Sequence, residues 1–238
     1  MIRFSIRRWA AWAPGLETQE HWKEWVRGER LMGAEGQPPL AGIDPMLRRR
    51  AGRLGRLALE PLLSCGAVDL PVVFCSRHGE AQRSVGLLRS LSAGEPLSPT
   101  EFSLAVHNAI GGLHSIASGS RVPVTAIAGG ASSPAQGLIE AFAQLDDATP
   151  EVALVVYDSP LPQPYDRDDD ESGVAFGWTW VLARASEGAI SLSWGYDPEL
   201  PDEACSEPFG LSLLRAYLAG GAHRLSRDGV YWQWRPDA

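Results

Sequence analysis

Cysteine is scarce in this 238-residue chain: Cys65, Cys75 and Cys205 stand alone, odd in number and without metal-ligand spacing. That pattern excludes a disulfide framework and suits buried thiols in a reducing compartment. Long apolar runs are missing too. No window approaches the roughly 18 apolar residues of a membrane span, and the start, "MIRFSIRRWAAW", mixes charge into its apolar residues, unlike a signal peptide. Positive charge is also in deficit, with a net charge of −8, which argues against nucleic acid or an anionic membrane as a partner. The one basic cluster, Arg48 to Arg50, is too short to reverse that balance. The expectation is a cytoplasmic protein without membrane insertion.

What is present is enough apolar residue, 45 %, to bury one core, so residues 1–238 read as a single domain. Ile2, Phe4 and Ile6 alternate with polar residues, as in a half-buried strand. Thr18 can cap a short helix carrying Trp22, Trp25 and Val26, stopped by Gly28. Asp44-Pro45 opens a helix with Leu54, Leu57, Ala58 and Leu62 at helical spacing, and "SPTE" (98–101) is a capping box that starts another. "SPAQ" (133–136) repeats the logic, with Ser133 as the N-cap.

Strands are predicted at 70–75, 122–128, 151–158, 174–183, 189–194 and 229–235, and a last helix at about 206–219. Strands and helices alternate through the middle and antiparallel-looking strands follow. The order implies a layered α/β/α domain with a mixed central sheet. Most of the nine tryptophans fall at core spacing and read as packing.

Four stretches invite a chemical reading. "SRHGE" (76–80) follows a strand and resembles the phosphate-binding motif of histidine phosphatases, which would make His78 the phosphorylated group. Its bland counterpart is a surface loop with Arg77 paired to a carboxylate. Ser132 and Ser133 stand at a strand-to-helix corner, but the G-x-S-x-G spacing of a hydrolase is absent. "GGASSPAQG" lacks the P-loop lysine. Asp168, Asp169, Asp170 and Glu171 lack the spaced ligands of a calcium loop and read as solvated charge. No metal or cofactor is expected.

The stretch from Leu97 to Phe142 resembles the N-terminal half of β-ketoacyl synthases. Asn108, Ala109, Gly111 or Gly112, Gly119, Pro123, Glu140, Ala141 and Phe142 match that family's pattern without a gap. The words at Arg77–Gly79, Leu97–Ser103 and Val106–Ala109 look closest to the chain-length factors of aryl-polyene pathways. The resemblance implies a thiolase-like N-terminal half and places the family's nucleophilic cysteine at Ala131. Ketosynthases are double-length, and their second half supplies two histidines that His107 and His114 do not replace.

What the resemblance implies is therefore a catalytically incomplete subunit. It would pair as a heterodimer with an active β-ketoacyl synthase in fatty-acid or polyketide synthesis, and meet the acyl carrier protein indirectly. The partner-facing stretch runs from Phe102 to Ile116, with Phe102, His107, Asn108, Ile110 and His114 as candidates for the interface or the tunnel floor. For Phe102 and Ile110 the competing reading is ordinary core packing, and for the two histidines a structural hydrogen bond. A phosphatase using His78, or a stand-alone binder of acyl thioesters or acyl carrier protein, are the alternatives.

Overall fold

The computed structural model describes residues 1–167, 173–186, 188–200, 207–227 and 229–237. One eight-stranded sheet runs through it in the order β3-β2-β4-β5-β1-β6-β8-β7. The strands are β1 Ile2–Trp12, β2 Val72–Cys75, β3 Val124–Ile127, β4 Glu151–Asp158, β5 Phe176–Arg184, β6 Ile190–Tyr196, β7 His223–Arg227 and β8 Val230–Pro236. β3, β2 and β4 are parallel, and every pairing from β4 onward is antiparallel. Helices α2 (Pro45–Ser64) and α5 (Ala109–Ser118) cover one face; α1 (Gln19–Val26), α6 (Ser133–Ala143) and α7 (Phe209–Ala219) cover the other. This is the mixed-sheet α/β/α layering expected.

Alternation along β4 shows why both faces are needed. Val152, Leu154 and Val156 enter the α6–α7 core, while Ala153, Val155 and Tyr157 enter the α2–α5 core. A strand covered on both sides reads as an unbroken apolar run. On the α6–α7 face Trp178 and Trp180 lie 4.4 Å apart, and Trp180 continues to Trp234 at 5.5 Å. Trp178 Nε1 donates to the Gly210 carbonyl at 2.9 Å. Opposite, α2 presses so closely on β5 that a Cβ at Gly177 would stand 1.9 Å from the Leu57 carbonyl oxygen.

Two expectations are corrected, and two elements are new. The helix after Ser98 is two: α4 (Pro99–Leu104), capped by the Ser98 hydroxyl accepting from Glu101 N, and then α5. The break between them lets His107 turn inward. Ser133 is the first helical residue of α6, and Ser132 holds the N-cap position without a capping bond: its hydroxyl donates to the Gly129 carbonyl and accepts from Gln136 Nε2. Ser133 Oγ instead accepts from Gly129 N at 2.8 Å and donates to the Gly130 carbonyl at 2.6 Å, pinning the corner from inside. Helix α3 (Ala81–Ser92) and β7 were not anticipated; α3 buries only Val85, so its apolar stripe is faint. The acidic run Asp168–Glu171 and Cys205 lie outside the described residues.

Candidate functional site

The parallel strands β2, β3 and β4 all end on one side of the sheet, where open α/β sheets place their sites. There Ser76 N donates to the Ile127 carbonyl at 3.3 Å, tying the end of β2 to that of β3. His107 Nε2 reaches the same carbonyl at 3.1 Å, and since a carbonyl only accepts, Nε2 carries the proton. On its other edge the ring lies against Gly79: a Cβ there would sit 2.5 Å from His107 Nδ1. His107 is thereby a structural pin between the helix break and the strand ends.

The "SRHG" turn closes on β4. Ser76 Oγ donates to Asp158 Oδ1 at 2.8 Å, and Arg77 N lies 3.0 and 3.1 Å from the two carboxylate oxygens. Gly79 N in turn donates to Ser76 Oγ at 2.8 Å. Burial pushes the Asp158 carboxyl up to about 6, against the Arg77 N–H and the Ser76 hydroxyl, which favour its charged form. The amides a phosphate would need already hold a carboxylate, so the phosphatase reading of His78 is not favoured.

Ala131 stands at the corner between β3 and α6 and faces a hollow of about 30 Å³ lined by Arg77, His78, Asp158, Phe176 and Phe209 among others. That is room for water. Cys75, distant in sequence, lies directly beneath. It is fully buried, and its thiol donates to the Ser133 carbonyl at 2.9 Å. Burial and the nearby Asp158 charge both raise its pKa above that of an ordinary thiol, the opposite of an activated nucleophile.

The remaining candidates lie around α4 and α5. Phe102 is 64 % exposed, while Ile110 and His114 are 1 % and 2 % exposed in the core between α5, α2 and the sheet. Desolvation lowers the His114 pKa, its ring lies 6.0 Å from Phe74, and its Nε2 has no partner among the described residues. Asn108 is exposed at the N-cap of α5. Asn108, Leu104, Val106, Leu113, Ile116 and Arg50 line an open groove of about 500 Å³ between α4 and α5. β3, one edge of the sheet, lies next to α5, where a Cβ on Gly111 would be 2.5 Å from Val124. Among the described residues no three His, Cys, Asp or Glu gather as a metal site, and no helix is long and apolar enough to cross a membrane.

Residues 22–235 match the family described as "Beta-ketoacyl synthase, N-terminal domain". The chain belongs to the β-ketoacyl synthase family. This ketosynthase-family chain is 26 % identical, with a TM-score of 0.83, to a chain of the ketosynthase ApeO in complex with its chain length factor ApeC from Xenorhabdus doucetiae. The match covers 99 % of this chain and 100 % of that one. The ishigamide ketosynthase/chain length factor matches at 13 % identity and TM-score 0.69 over 98 % of both chains. A ketosynthase from module 6 of the bacillaene synthase of Bacillus subtilis 168 matches at 13 % and 0.57, over 85 % of this chain but 42 % of its own. No curated protein matches the chain. The thiolase-like fold expected from the sequence is thus established.

Sequence reading missed Asp158, and it missed the pair that opens α3, in which Arg83 Nε donates to Glu80 Oε2 at 3.2 Å. For Asp158 a signal existed: an apolar run that ends on an acid, "VALVVYD", delivers that acid to the carboxyl end of a strand. Glu80 and Arg83 belong to the unanticipated helix and had none.

Proposed function

We propose that this chain is a non-catalytic subunit of chain-length-factor type, pairing as a heterodimer with an active β-ketoacyl synthase in fatty-acid or polyketide synthesis of the aryl-polyene kind. The observation that carries the reading is Ala131: at the helix-entry corner stands a methyl group facing about 30 Å³ of space. Among the described residues the thiol beside that corner, Cys75, is sealed beneath and held protonated. A nucleophilic route needs a thiolate at that corner. The near-complete mutual coverage with a chain of the ApeO–ApeC complex supports the same reading.

Pairing would use the β3 edge and the α4–α5 surface, where Phe102 and Asn108 are exposed and Ile110 and His114 fix α5 from beneath. The acyl carrier protein would meet the chain only through the ketosynthase. The test is co-purification of this chain with a co-expressed β-ketoacyl synthase, read by size exclusion with light scattering. A 1:1 complex whose condensation stops when the partner's cysteine is replaced is the expected result. A monomer that ignores every ketosynthase but binds acyl carrier protein overturns it in favour of a stand-alone binder.

A further inference from the structure

Every residue from 91 to 103 is exposed. Helix α4 begins inside that stretch, six residues long and burying none of them. A helix this short does not hold itself together in water, so its place depends on what ties it down. Among the described residues, the segment from Pro96 to Ser103 makes one polar bond to another element: Glu101 accepts from Arg83 Nη1 at 2.6 Å. Its other bonds stay inside the segment. Glu101 N and Phe102 N donate to Ser98, and Ser103 Oγ donates to the Pro99 carbonyl.

The two sides of that bond are unequal. The Arg83 side chain is 14 % exposed, with Nε donating to Glu80 at 3.2 Å and Nη2 to the Arg50 carbonyl at 2.6 Å. Gly52 leaves the helical path of α2 at φ +62, and a Cβ on it would come within 2.9 Å of Nη2, so the kink makes room for the guanidinium. Glu101 is 48 % exposed, and a pair with so exposed an arm is weak and screened by salt. Both ends of the stretch meet fixed points. Gly94, at φ +69 in open space, closes α3. Leu104 is half-buried against the α2–α5 core, and His107 is held by the Ile127 carbonyl.

We propose that residues 95–103 form a hinged strap, latched by Arg83 on Glu101, that opens without unfolding the domain. Its hinges are Gly94 on one side and the turn from Leu104 to His107 on the other. Pro99, Thr100 and Ser103 make one wall of the α4–α5 groove, with Ala109, Leu113 and Ile116 opposite, so releasing the latch widens the groove. Segments with few buried contacts open at a small fraction of the global unfolding free energy. The strap is a property of the chain by itself and stands whether or not the subunit reading does.

The test is amide hydrogen exchange of the full chain, followed by mass spectrometry at fixed pH and temperature. Peptides over residues 100–105 should exchange about a hundredfold or more faster than those over 112–118 in α5. Glu101→Gln should speed exchange over 100–105 about twofold to fivefold and leave α2 and α5 unchanged. Raising NaCl from about 0.05 to 0.5 M should speed the same peptides in the wild type and not in Glu101→Gln. Protection over 100–105 equal to that of α5 overturns the strap. Faster exchange that spreads into α2 and α5 overturns it too, because Glu101 would then support the whole domain. Exchange over 100–105 indifferent to both the substitution and salt overturns the latch.

Discussion

The backbone N–H of Arg77 lies between both oxygens of the Asp158 carboxylate, at 3.0 and 3.1 Å. The chain thus supplies its own anion to the turn that begins at Ser76. Part of the carboxylate's desolvation is offset by the Ser76 hydroxyl and this N–H, and part is not, which is why its pKa stays raised.

A pH dependence follows. Burial lifts Asp158 to about 6, and it lifts Glu80 to about 7 despite Arg83. Both values exceed those of an unfolded chain, roughly 4. Between the unfolded and folded values the native state binds more protons, so stability falls as pH rises. The contribution is most favourable below about pH 4; it is lost as pH rises through about 6 for Asp158 and about 7 for Glu80. Glu80→Gln cannot ionise, so its melting temperature relative to wild type should climb between about pH 5 and 7.5. A difference that stays flat across that window would remove the argument.

Gly177 is a packing requirement. With the Leu57 carbonyl 1.9 Å from any added Cβ, the neighbour in the way is backbone, which cannot rotate aside. Gly177→Ala should cost about 3 kcal/mol or more in urea unfolding. A loss below about 1 kcal/mol would mean that α2 slides freely over β5.

At Ala131 the expectation is tolerance without gain of function. Ala131→Ser should leave stability, pairing and products unchanged. Ala131→Cys should form no acyl adduct with an acyl-thioester donor, followed by mass spectrometry, because Phe176 and Phe209 line a hollow of only about 30 Å³. Rapid acylation would show that the corner opens.

The layered sheet was legible because β4, β5 and the helix stripes carry strong apolar periodicity. α3 was not, because it packs through Val85 alone and leaves Leu88 and Leu91 exposed. The corner was legible through Glu140-Ala141-Phe142 and its spacing from Ala131. That Cys75 lies beneath it was not, since β2 and α6 come together only through sheet pairing and the close approach at Gly137, where a Cβ would be 2.8 Å from Cys75 Sγ. His107 looked like either a tunnel group or a structural one, and only the Ile127 carbonyl at 3.1 Å shows the bond it makes.

Phe102 and Ile110 were candidates of equal standing in the sequence, and the structure parts them by solvent exposure, 64 % against 1 %. Ile110 packs beside Leu57, Phe74 and Leu113 in the α2–α5 core, so Ile110→Ala removes buried methylenes and should cost about 2–5 kcal/mol of stability. Phe102→Ala removes a ring that the isolated chain leaves in water, so its stability should change by no more than about 0.5 kcal/mol. If the ring is an anchor for the ketosynthase, the same substitution should weaken pairing by about 2 kcal/mol or more, roughly thirtyfold in Kd. Measured together, urea unfolding of the monomer and titration of the partner give opposite orders for the two variants. A Phe102→Ala chain that pairs as tightly as wild type would show that α4 faces solvent in the complex, and the interface would then have to lie along β3 alone.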